Sequence, residues 1–187
     1  LKPVLTNENC SLTVKKIDSE TKDTLAGVKF KLEYQPSSSE EEEENYQQIY
    51  VERIMNTDNT VKEYKFVEKI PGTDETNPTT YKYAYDTGSP NPDNVISADS
   101  IATDSNGMIK FTGLPSDALY NLSEVATLDD YNMLPNGVKF NLPYYIGKTA
   151  EEGKTVISDD GYISADGTGQ GGYYKDITYT ITNSKIP

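Results

Sequence analysis

LTVKKID, residues 12–18, is the stretch on which the fold turns. Side chains of a strand alternate between two faces, so Leu12, Val14 and Lys16 share one of them. Two other stretches repeat the irregularity. YNLSE, residues 120–124, places Tyr120, Leu122 and Glu124 on one face, and DITYTITN, residues 176–183, aligns Ile177, Tyr179, Ile181 and Asn183. Each apolar face carries one polar group at its end. AGVKFKLE, residues 26–33, behaves conventionally: Val28, Phe30 and Leu32 turn inward, Lys29 and Lys31 fall on the wettable face. A lysine, a glutamate and an asparagine are therefore expected to point into one core.

These three residue types form a reactive set. Burial disfavours charge, so a buried lysine lowers its pKa toward the neutral amine, and a buried carboxyl is driven toward the neutral acid. An uncharged amine is a nucleophile, a carboxamide is an acyl donor, and a carboxylic acid polarises that carbonyl and moves protons between amine and leaving group. The expected product is an amide joining Lys16 to Asn183, with release of ammonia. Taken singly, each member has a plainer reading, a lysine stem lying on the core with its ammonium in water. Taken together they favour the covalent one.

Three motifs, in order, give a family likeness: KID followed by LAGVKFKL (Lys16 to Leu32), Tyr-x-Leu-x-Glu (Tyr120 to Glu124) and ITN (Ile181 to Asn183). With them the chain resembles the collagen-adhesin B-type (Cna B) domains of Gram-positive pilins and surface adhesins. The resemblance, over roughly residues 11–35 and 103–186, implies an inverse immunoglobulin-like sandwich with an intramolecular isopeptide bond. It assigns Lys16 as nucleophile, Asn183 as acyl donor and Glu124 as catalytic acid and base. Family members often follow the glutamate with Ala-Pro-x-Gly-Tyr. Here Val125 to Tyr131 keeps only the tyrosine.

The rest of the chain fits an all-β antiparallel sandwich. Tyrosine (15) far outnumbers phenylalanine (4), tryptophan is absent, and turn chemistry recurs at Asp104-Ser105-Asn106-Gly107, Asn136-Gly137 and Asp160-Gly161, each directly before a strand-like run. Residues 1–10 read as a lead-in and 11–187 as one domain, with a large insertion after the second strand at about 36–102. Within it PSSSEEEEEN is a solvated acidic loop, since consecutive carboxylates such as Glu40 to Glu44 lack the spacing of a calcium cage. YQQIYVERI and VKEYKFVEKI alternate as a strand pair or extra sheet edge. TNPTTYKYAYDTGSPNPDN reads as an irregular surface loop with a short helix near Ser97–Ile101.

Charge and composition exclude several functions. A net charge of −13 repels nucleic acid and anionic membrane. No apolar run approaches the length of a membrane span, and no secretory leader stands at Leu1, so a leader and a wall anchor, if they exist, are expected outside this stretch. With no histidine, Ser-His and Cys-His catalysis and the commonest zinc sites are out of reach. Asp129 and Asp130, adjacent in a strand, would face opposite ways and flank no glycosidic bond. Cys10, the sole cysteine, forms no disulfide within the chain and reads as a small residue in a near-terminal segment. Asp159, Asp160 and Asp166 among glycines read as hairpin turns before they read as a cation site. No cofactor or metal is expected.

The chain is accordingly expected to be no conventional enzyme but an extracellular structural module, a pilin subunit or adhesin stalk on a Gram-positive surface. Its partners would be neighbouring domains or pilin subunits. The alternative is a ligand-binding adhesin domain whose acidic, Tyr-rich insertion recognises a host protein or glycan.

Overall fold

The computed structural model describes residues 9–36, 45–147, 154–158, 160–165 and 172–187. The acidic run Glu40 to Glu44, most of the lead-in, and Asp159 and Asp166 lie outside them. β1 (Cys10–Asp18) and β2 (Lys29–Gln35) come first. The insertion supplies β3 (Gln47–Gln48), β4 (Tyr50–Met55), β5 (Val61–Ile70), β6 (Thr80–Tyr83), β7 (Val95–Ser97) and β8 (Ile101–Ala102). β9 (Met108–Leu114), β10 (Ala118–Ala126), β11 (Val138–Leu142) and β12 (Tyr144–Ile146) follow. The last four are β13 (Lys154–Ser158), β14 (Gly161–Ser164), β15 (Gly172–Tyr174) and β16 (Asp176–Asn183).

One sheet runs β13-β14-β16-β1-β9-β5-β4-β7, with β6 beside part of β5. A second runs β11-β10-β2-β3, with β8 against β2, and β12 pairs β15 apart from both. Most ladders are antiparallel, as the hairpin signals require. Two are parallel: β16 beside β1 and β5 beside β9. Parallel neighbours cannot be joined by a tight turn, and each of these pairs is separated in sequence by intervening strands.

The alternating faces meet in one core. Leu12, Val14, Ile177, Tyr179 and Ile181 of the first sheet, and Phe30, Leu32, Tyr120 and Leu122 of the second, are all buried in it. Each such side chain stabilises the fold by roughly 1.5–3 kcal/mol through apolar area removed from water. Tyr120 is anchored at its polar end, where its hydroxyl donates to the Pro115 carbonyl at 2.6 Å, while its ring stacks with Tyr34 and Phe140. Cys10 lies in this core as well. The turn before β9 needs its glycine: Gly107 sits at φ +71°, and a Cβ there would come within 2.8 Å of the Lys16 carbonyl oxygen.

The insertion is built into the sandwich. β4, β5 and β7 prolong the first sheet beyond β9, and Ile49, Val51 and Phe66 join the common core. The expected irregular loop contains β6, whose Tyr83 hydroxyl donates to the buried Glu52 carboxylate at 2.5 Å. The expected helix near Ser97–Ile101 is a correction. Val95 and Ile96 pair with β4, the Ala98 N–H donates to the Ile49 carbonyl, and the Ala98 carbonyl accepts from Leu32, so the backbone there is committed to neighbouring strands. A single 3-10 turn forms earlier, at Pro92–Asn94, where Asn91 accepts from the Asp93 N–H and Pro92 pre-sets the first helical φ.

Candidate functional site

β1 and β16 run side by side with Lys16 opposite Ile181 and Asp18 opposite Asn183. Lys16 and Asn183 are thus diagonal neighbours on one face, within reach of a long side chain. A slip of one residue would turn Asn183 to the other face, so the juxtaposition depends on this register. Glu124 comes from β10 in the opposing sheet, at the level of Phe30.

The structure brings the three sequence-derived residues together. The Lys16 ammonium lies 2.6 Å from Glu124 Oε1, and it donates to Asn183 Oδ1. Asn183 Nδ2 donates to Glu124 Oε1 at 3.1 Å and Oε2 at 3.3 Å. Glu124 therefore touches both nitrogens of the set with one carboxyl. Lys16 is 0% exposed, which excludes the snorkelling arrangement in which the amine would reach water. Glu124 and Asn183 are buried too, and the Phe30 ring centroid is 5.8 Å from the amine. Desolvation holds the Lys16 pKa below its ordinary value, against the opposing pull of the Glu124 carboxylate. An ion pair in this setting gains little net stability, yet removing one member would strand a buried charge.

Two further contacts were not legible beforehand. The Leu134 N–H donates to Glu124 Oε2 at 2.6 Å, and the Thr127 hydroxyl accepts from Asn183 Nδ2 at 3.1 Å. The first is a main-chain contribution from a loop and has no sequence signature. The second contradicts simple alternation, because Thr127 stands three residues after Glu124 and should face away. A bulge resolves this. Glu124 pairs with Phe30 but Ala126 with the next residue, Lys29, so one extra residue enters β10 and the facing of side chains beyond it is reversed.

Tyr131 fastens the same loop to β1. Its hydroxyl donates to Asp18 Oδ2 at 2.7 Å, while Asp18 Oδ1 accepts from the Thr21 and Glu20 N–H groups. Led by the Thr21 bond, these donors pull the Asp18 pKa down to about 2, and the shared proton pushes Tyr131 up to about 12. A carboxyl depressed in the folded state stabilises it above the unfolded pKa of about 4 and loses that contribution as pH falls through its folded value. Asp18→Asn keeps the acceptor oxygen but cannot ionise. Wild type should therefore melt above Asp18→Asn at neutral pH, with the gap closing between about pH 4 and pH 2. A gap constant across that range in thermal melts would remove Asp18 from the acid response.

Among the described residues no group of acidic or cysteine side chains is arranged to hold a metal ion. Of the aspartates weighed for a cation, only Asp160 lies within them, where its carbonyl accepts from the Thr182 N–H in the turn before β14.

A family model described as SpaA, prealbumin-like fold domain, matches residues 10–143. The match takes in Lys16 and Glu124 and ends before Asn183. Among curated proteins none matches the chain. The group B streptococcus pilus 2b backbone protein is similar at 21% identity over 97% of this chain and 43% of its own, TM-score 0.44. A streptococcal ancillary pilin is similar at 17% identity over 96% of this chain and 33% of its own, TM-score 0.47. The full-length major pilin SpaD of Corynebacterium diphtheriae is similar at 14% identity over 98% of this chain and 32% of its own, TM-score 0.43. The chain spans less than half the length of each.

Proposed function

The chain belongs to the SpaA family of prealbumin-like fold domains, and on that premise we propose that it is a structural module of a Gram-positive pilus or surface protein. In this reading, which refines the family to the Cna B type, the module is locked by a self-formed amide between Lys16 and Asn183. The observation that carries it is the buried triangle in which Glu124 Oε1 lies within hydrogen-bond reach of both the Lys16 amine and the Asn183 amide nitrogen.

The chemistry follows from that placement. A proton passes from Lys16 Nζ to Glu124 Oε1, leaving a neutral amine whose formation the desolvated site already favours. The amine attacks Asn183 Cγ, and the Nζ–Cγ bond forms. Glu124 then carries a proton to Nδ2, the Cγ–Nδ2 bond breaks and ammonia leaves. Nζ gives its second proton to Glu124 as it becomes the amide nitrogen, so one ammonium, one carboxamide and one carboxylate become one secondary amide, one ammonia and one carboxylic acid, and passage of that acid's proton to the departing ammonia restores the carboxylate. The carboxyl faces the leaving nitrogen, so its main work is proton transfer. Before that transfer the Lys16 ammonium donates to Oδ1, which holds the carbonyl against the amine that will attack it. The turnover is single, since the product is the protein itself, and no cofactor or metal enters.

The location follows from the use of such a lock. A covalent tie serves a chain exposed to shear and proteases on the cell surface, alongside neighbouring domains or subunits of the same assembly. The insertion, being continuous with the first sheet and core, serves here as part of the folded body that the tie shields from load. The test is removal of either reacting group: Lys16→Ala and Asn183→Ala should each keep the full sequence mass under denaturing conditions. A variant of either kind that still loses ammonia would place the bond elsewhere.

A further inference from the structure

We infer that Thr127 is a positioning residue for this reaction, fixing the plane of the Asn183 carboxamide beside the Lys16 amine. The inference rests on the amide reading above. It starts from a degree of freedom the triangle alone leaves open. The last torsion of asparagine joins an sp³ to an sp² carbon and is broad, with two nearly equivalent orientations. An amine attacks a carboxamide from above its plane, so a carboxamide free to turn spends little time in the reactive pose.

Two acceptors remove that freedom. Asn183 Nδ2 has two N–H groups. Glu124 takes one, shared between its oxygens at 3.1 and 3.3 Å, and the Thr127 hydroxyl takes the other at 3.1 Å. A single acceptor would leave the amide able to swing about one bond. Two acceptors on different sides of the nitrogen define the plane, and Oδ1 is then left facing Lys16. The same pair of bonds opposes a flip, which would put Oδ1 against the Glu124 carboxylate and Nδ2 against the Lys16 donor.

The backbone supplies this arrangement at one point. The bulge between Glu124 and Ala126 reverses the facing of side chains, and this brings Thr127 onto the side of Glu124. Val125, the residue inserted there, is 40% exposed and contributes nothing to the core. Its role is the extra residue itself.

The experiment follows bond formation in time, by synthesising the full chain in a cell-free system, quenching samples in denaturant and measuring intact mass. Thr127→Val, which keeps size and removes the hydroxyl, should form the bond roughly tenfold more slowly, the rate equivalent of one buried hydrogen bond. Thr127→Ser, which restores the acceptor, should recover most of that rate. A second measurement separates positioning from stability. In the Asn183→Ala background the amide is gone, so Thr127→Val should leave the unfolding midpoint there unchanged. Bond formation at the wild-type rate in Thr127→Val overturns the inference. So does slow formation that Ser fails to rescue while Thr127→Val also destabilises the Asn183→Ala protein. If wild type keeps its full mass at every time point, the amide reading itself fails and this inference falls with it, a result distinct from either of the others.

Discussion

Pulled by its two termini, the wild-type protein should extend only by the residues outside Lys16 and Asn183, while Lys16→Ala should unravel throughout. The two residues are 167 positions apart. At roughly 3.3–3.6 Å per extended residue the variant should release about 550 Å or more of chain that the wild type withholds. The geometry explains why the effect is nearly all or none. β1 and β16 are parallel neighbours, so tension applied at the start of one and the end of the other shears them along their shared ladder, Ser11 with Asp176 through Asp18 with Asn183. Without a covalent tie only that ladder and its packing resist. With the tie, load passes from β1 to β16 through one amide, and strands β2 to β15 between them in sequence carry none of it. Equal released lengths in wild type and variant would sink the load-bearing reading and favour the ligand-binding one.

The second large effect concerns Glu124. Without its carboxyl the amine has no proton acceptor and the leaving nitrogen no donor, so Glu124→Ala should fold to near-native secondary structure yet keep its full mass. Closing a loop of this length stabilises by about 5 kcal/mol in the chain-entropy model, so loss of the tie should lower the unfolding midpoint by roughly 10–20 °C. Glu124→Gln, which keeps hydrogen bonds but cannot shuttle a proton, should behave alike and separates chemistry from packing. A pH signature accompanies the loss. Lys16 left as a free buried amine has a folded-state pKa below 10.5 because of desolvation, so unfolding takes up a proton between that lowered value and 10.5. The stability of an unreacted variant should therefore rise with pH across this window. In the cross-linked protein Lys16 is an amide and does not titrate, and that rise should be missing. Cross-linking of Glu124→Ala at the wild-type rate would take the residue out of the mechanism.

Much of this was legible in the chain because strand periodicity is rigid. Once LTVKKID, YNLSE and DITYTITN are strands, Lys16, Glu124 and Asn183 must face inward, and the structure buries all three in contact. The turn at Gly107 was readable for a similar reason, since its φ of +71° and the close approach of the Lys16 carbonyl leave few residue choices. What escaped depends on where the backbone departs from period two or on main-chain partners. Thr127 reaches the site through a bulge that no pattern in Glu-Val-Ala-Thr announces, and Leu134 acts through its N–H alone. The helix expected near Ser97–Ile101 failed because Ala98 gives both its backbone groups to other strands, a tertiary commitment that local composition does not record. The parallel docking of β16 on β1 was equally invisible, because it joins segments from opposite ends of the chain.

The most direct test of the central claim is the intact mass of freshly folded wild-type protein, measured after full denaturation and followed by protease digestion. The account predicts a mass one ammonia below that of the sequence and a branched peptide joining the segment around Lys16 to the segment around Asn183. A full sequence mass, with Lys16 and Asn183 recovered on separate linear peptides, would contradict it.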